Sequence, residues 1–152
     1  IILAVAGFGW AKPVPFIPGN LRKAPSISIG IILVSIAGIV MNLFLAALAA
    51  LPFRLHLVSI ADIPNTQSVA FILYLVISIN AVLAIFNLIP IPPLDGSKIL
   101  ESLLPPQQRG IMDFLNQYGF YILILLFILP GSLLFQLIGP LQLGIVRLLI
   151  GV

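Results

Sequence analysis

Long runs without a single charge limit this chain more than any other feature. Ser26 to Phe53 contains no Asp, Glu, Lys or Arg, and neither does Gln67 to Leu88. A stretch of about 20 apolar residues is what a helix needs to cross the hydrocarbon core of a bilayer. Both runs meet that length, so they predict two spanning helices. The first includes "ISIGIILVSIAGIVMNLFLAALAAL", and the second closes where Pro90 removes a backbone donor. Composition agrees: 61% of the residues are hydrophobic and 7% charged, against about a quarter charged in soluble domains.

The rest of the chain fits the same plan. Arg54 to Asn65 holds two charges, His56 and Pro64, and reads as a short polar connection. Tyr118 to Ile138 is a third apolar span, broken by Pro130-Gly131. Leu141 to Val152 is too short to span and reads as a half-helix. Between the second and third spans the prolines fall in two groups, 90/92/93 and 105/106. The segment "DGSKILESLL" separates those groups and carries Ile99, Leu100, Leu103 and Leu104 at helical spacing. That pattern predicts a short amphipathic helix lying at the membrane interface. The fold class expected is an all-α, multi-pass integral membrane protein, with about three transmembrane helices, an interfacial helix and a proline-rich, re-entrant-like segment. Residues 1–152 are expected to form a single membrane domain.

Charge and cysteine content narrow the function. Seven Lys and Arg give a net charge of +3 but are scattered, so they lack the clustered footprint of a nucleic-acid partner. No cysteine is present, which excludes disulfides, Cys-ligated zinc and thiol catalysis. Lys12, Arg22 and Lys23 precede the first span and Lys98 and Arg109 follow the second, whereas Arg54 and Arg147 fall on the other side. The positive-inside rule then puts Asp95 toward the cytoplasmic end. The chain opens with "IILAVAG", not Met, and those residues read as the tail of an earlier apolar segment.

Polar side chains at hydrocarbon depth are costly, so each is a candidate site. Asn80 and Asn87 are seven residues apart in the second span and share a face; Gly38 and Asn42 are four apart and share one in the first. Such amides can act as glue between helices, and a glycine allows close backbone approach. Asp95 has two readings: an N-cap for the helix that starts near Ser97, or a metal ligand. The setting favours the ligand. Pro90, Pro92 and Pro93 predict a rigid extended segment with few donors, and non-helical backbone at that depth must be buried in protein or line a cavity.

Three stretches of the chain carry a resemblance. Asn87-Leu-Ile-Pro90-Ile-Pro-Pro-Leu-Asp95-Gly96 resembles the Asn-Pro-Asp-Gly motif of the site-2 protease family, the intramembrane zinc metalloproteases. Gly38-x-x-x-Asn42 resembles that family's second motif, and "GWAKPVPFIPGNLRKAP", residues 9 to 25, is similar to the loop that precedes the corresponding helix in small bacterial and archaeal members. The resemblance implies a protease acting in or near the bilayer on transmembrane or membrane-proximal protein substrates, in a bacterial or archaeal plasma membrane. It also implies that Asp95 is the third zinc ligand, beside two histidines of a His-Glu-x-x-His helix. Asn42 would donate to a developing oxyanion, and the loop with Trp10 and Lys12 would hold an extended substrate by strand addition.

No His-Glu-x-x-His occurs in these residues, and the single histidine, His56, falls in the connection expected on the face opposite Asp95. The motif is therefore expected upstream of Ile1, making this chain the C-terminal part of the family's core. Two other readings stay open. One is a non-catalytic relative that binds transmembrane segments; the other is a cation-coupled transporter, which inverted internal symmetry would favour. No such symmetry is detectable between the first two spans.

Overall fold

A computed structural model describes residues 27–129 and 133–152. The helices are α1 (Ile27–Arg54), α2 (Val69–Asn87), α3 (Asp95–Leu103), α4 (Arg109–Ile128) and α5 (Leu133–Ile150), with 3-10 turns at Ile60–Asp62 and Pro106–Gln108 and no strand among the described residues. Helices α1, α2 and α4 are each long and apolar enough to cross a membrane. The protein is an all-α integral membrane protein.

Small residues set the core. Ala46 and Ala50 on α1 meet Ala70, Ile77 and Ala81 on α2, and Val146 and Ile150 of α5 close the cluster. Alanines let two helix backbones approach closely, which is how helices pack where water supplies no hydrophobic drive between them. A second, smaller cluster joins Ile85 of α2 to Leu134 and Ile138 of α5. The outward faces stay apolar and uncovered: Val40, Met41 and Phe44 on α1 are each more than half exposed.

The α1–α2 connection is locally specified. Ser68 caps α2, its hydroxyl accepting from the Phe71 N–H at 3.0 Å. His56 just beyond α1 has a φ of 55°, in the left-handed region that ends many helices. Arg54 donates from Nε to the Leu149 carbonyl at 2.8 Å and from Nη2 to that of Leu148. A cation there satisfies the last carbonyls of α5 and complements its dipole. The end of α1 is thus tied to the end of α5.

The third span differs from its expectation. In place of one apolar segment over 118–138, α4 begins at Arg109 and ends at Ile128, while 133–150 forms a separate helix. Apolar counting starts a span where charge stops, but a helix can extend through polar turns that reach water, as Arg109 and Asp113 do here. Helix α5 also runs through Pro140, so the expected half-helix after residue 140 is the second half of α5. The Pro130-Gly131 break lies outside the described residues, as do Trp10, Lys12 and the whole stretch of residues 9 to 25.

Candidate metal-ligand site at the Asp95 end

The link from α2 to α3 is a run of tight turns, not the extended segment expected from its prolines. The Ile89 N–H donates to Phe86 at 3.1 Å, Ile91 to Ile89 at 2.9 Å and Leu94 to Ile91 at 3.0 Å, and the Pro92–Pro93 peptide is cis. Turning is required because α3 folds back onto the end of α2. Gly96 marks the contact: a methyl there would sit 2.6 Å from the Ile89 carbonyl oxygen and closer still to that of Leu88. A glycine is needed where backbone meets backbone this closely. From the other side α4 presses on the turns at Gly119, where a methyl would lie 2.9 Å from the Pro92 carbonyl oxygen.

This packing fixes Asp95. It is the first residue of α3, Leu94 is the N-cap, and no side chain caps the helix. The capping reading of Asp95 therefore gives way: the helix starts two residues earlier than Ser97, and the carboxylate points elsewhere. Its Oδ1 accepts from Lys98 Nζ at 2.8 Å, with the Asp95 side chain 29% exposed. Its Oδ2 faces α1, where a methyl on Gly38 would lie 3.6 Å away. The fold thus brings together Gly38 and Asp95, which are far apart in sequence.

The other candidates lie around this pair. Asn42 follows Gly38 by one turn of α1 and is half-buried. Asn87 is the last residue of α2 and half-buried, and Pro90 is exposed in the turn that follows. Asn80 does not bridge helices; its Nδ2 donates to Val76 of the same helix at 2.8 Å. His56 belongs to the far end of α1. Sixteen residues separate Gly38 from Arg54, about 24 Å of helix at a rise of 1.5 Å per residue, and His56 lines a separate cavity of about 550 Å³ with Phe53 and Ser59.

Sequence reasoning passed over two participants. Lys98 was legible as an i,i+3 partner of Asp95, whereas Gly119 carries no signal beyond being a glycine in an apolar run. Next to the site, Phe86, Pro93, Leu94, Phe120, Leu123 and Phe127 line an apolar cavity of about 310 Å³.

For a metal, Asp95 is a fitting single ligand, being anionic and half-buried with Oδ2 left open by Lys98. The described residues contain no group of three His, Cys, Asp or Glu side chains able to hold an ion. A complete set would need further donors.

Residues 54–128 match the model of Peptidase family M50. The chain is 40% identical over 134 residues to "Putative zinc metalloprotease YwhC" of Bacillus subtilis (strain 168), covering 86% of this chain and 59% of that protein. It is 31% identical over 131 residues to "Putative zinc metalloprotease Rip2" of Mycolicibacterium smegmatis (strain ATCC 700084 / mc(2)155), covering 86% of this chain and 47% of that one. The chain therefore spans about half the length of these curated relatives. No solved structure matches it. The matched segment runs from the end of α1 through α2, the proline turns, Asp95 and α4, and with these relatives it establishes that the chain belongs to peptidase family M50, the site-2 protease family.

Proposed function

We propose that the whole protein is an intramembrane zinc metalloendopeptidase, and that this chain is the C-terminal part of its membrane core. The observation that carries the reading is the approach of Asp95 Oδ2 to Gly38, which joins the two motif segments at one end of the α1–α2 pair. Asp95 is the ligand this chain supplies, and two histidines of a His-Glu-x-x-His helix outside it would complete the set. When bound, zinc would supply a water of lowered pKa and a Lewis acid for a peptide carbonyl.

The remaining roles belong to this chain's own side chains. Asn42, one turn from Gly38, can donate its amide N–H to an oxyanion at the scissile carbonyl. Trp10 and Lys12 would help to hold the substrate backbone by strand addition. Turns between α2 and α3, held by Gly96 and Gly119, keep the Asp95 carboxylate in register with α1. The substrate is a transmembrane or membrane-proximal protein segment, and the apolar cavity beside Leu94 suits such a chain. The membrane is a bacterial or archaeal plasma membrane with Asp95 on the cytoplasmic side, given five basic residues in the loops of that side against two.

Two measurements test this together. The coding sequence before Ile1 should specify His-Glu-x-x-His within one or two apolar segments, and the full-length protein should cleave a membrane-inserted substrate in a chelator-sensitive way. An upstream helix without that motif, together with substrate binding and no cleavage, would replace the protease with a non-catalytic relative.

A further inference from the structure

A second polar cavity lies at the same end of the molecule, away from the Asp95–Gly38 contact. It measures about 690 Å³ and is bounded by Ser28 of α1, Glu101 and Ser102 of α3, and Arg109, Met112 and Asp113 of α4. Its volume falls within the roughly 300–1,000 Å³ typical of small-molecule sites. Its position is at the starts of α1 and α4, two helices long and apolar enough to cross a membrane.

The charges around it are exposed and, among the described residues, unpaired. One guanidinium and two carboxylates line the cavity, yet the sole ion pair among the described residues is Lys98–Asp95. Arg109 and Asp113 have the i,i+4 spacing of a helix-surface pair, yet they do not come within ion-pair distance. Opposite charges held apart around one space suit a ligand that carries both. Two carboxylates against one guanidinium disfavour a purely anionic ligand, and carboxylates accept hydrogen bonds but cannot donate them. The complementary group therefore has a phosphate for Arg109 and an N–H-bearing ammonium for Glu101 and Asp113. Further along the helices from the cavity, Leu33 on α1 and Phe114 on α4 are more than half exposed and offer apolar walls for acyl chains.

We infer that this cavity binds the headgroup of an aminophospholipid, a phosphoethanolamine diester, with Arg109 on the phosphate and Glu101 and Asp113 on the ammonium. The comparison that isolates the carboxylates is phosphatidylethanolamine against phosphatidylcholine, because the two share net charge and phosphate but choline has no N–H to donate.

The full-length protein is reconstituted in vesicles of equal parts phosphatidylethanolamine, phosphatidylcholine and phosphatidylglycerol, and the lipid retained through purification is measured by native mass spectrometry. Ethanolamine lipid should be retained over choline lipid by roughly fivefold, the equivalent of about 1 kcal/mol. The Glu101→Gln/Asp113→Asn double variant should abolish that preference, and Arg109→Gln should lower retention of both zwitterionic lipids. Equal retention in the parent protein, an unchanged preference in the double variant, or phosphatidylglycerol retained above both would overturn the assignment. Full displacement by acyl-free glycerophosphoethanolamine at matched concentration would also overturn it, in favour of a soluble phosphoester.

Discussion

Gly96→Ala probes the contact on which the whole site depends. The added methyl would meet the Ile89 carbonyl oxygen at 2.6 Å and the Leu88 carbonyl oxygen closer still. Both obstacles are backbone, so no rotamer change relieves them. Carbon and oxygen need about 3.3 Å, so α3 must move off the end of α2 by more than half an ångström. Overpacking of this kind costs about 1–3 kcal/mol, more than the ~0.5–1 kcal/mol that alanine gains over glycine within a helix. Asp95 is the adjacent residue, so its carboxylate moves with the backbone. A displacement near 1 Å at a reacting centre lowers rate by about a hundredfold. Thermal unfolding of the full-length protein in detergent, with cleavage of a membrane-inserted substrate, reads both effects. Gly144→Ala is the control, since a methyl there meets nothing within 4 Å, and it should be neutral or slightly stabilising. A Gly96→Ala protein with unaltered stability and cleavage would refute the close α2–α3 contact.

The remaining predictions separate the site from the scaffold. Gly38→Ala should leave stability equal or raised by up to about 1 kcal/mol, because its methyl would lie in ordinary contact, 3.6 Å from Asp95 Oδ2; a clear loss of stability on unfolding would contradict that placement of the carboxylate. Arg54→Met should cost about 1–2 kcal/mol by unfolding, through loss of charged donors to the last carbonyls of α5, and should leave zinc content unchanged.

The parts of the fold that were legible in sequence are those that burial in lipid dictates. The first two uncharged runs mark α1 and α2 to within a residue or two, since each turn of a spanning helix must be apolar. The third was misplaced because its first turns carry Arg109, Asp113 and Asn116, which hydropathy assigns to a loop although a helix accepts them. Leu141 to Val152 was read as a separate half-helix, yet α5 runs through Pro140 into it. At the site, the Asp95-Gly96 and Gly38-Asn42 stretches stood out by residue type and spacing. Their approach to one another could be expected only from the family resemblance, because no local rule pairs position 38 with position 95. The proline turns were misread as extended, since three prolines fix φ but say nothing of where the flanking helices must meet. Gly96 and Gly119 act by lacking a side chain, which hydrophobic patterning does not register.

The central claim is that Asp95 is a metal ligand in a membrane-embedded protease, and Asp95→Asn in the full-length protein tests it most directly. The substitution keeps the shape of the side chain and removes its charge. Its scaffold effect is small: the half-exposed Lys98 pair contributes about 0.3–0.5 kcal/mol, and an acid in the first turn of a helix about 0.3–1 kcal/mol. Zinc content and cleavage of a membrane-inserted substrate are measured together, with Asp113→Asn as the variant outside the motif that should keep both. The account predicts that Asp95→Asn loses bound zinc and that cleavage falls by orders of magnitude, with unfolding shifted by no more than about 1.5 kcal/mol. An Asp95→Asn protein that holds a full complement of zinc and cleaves at the parent rate would contradict it.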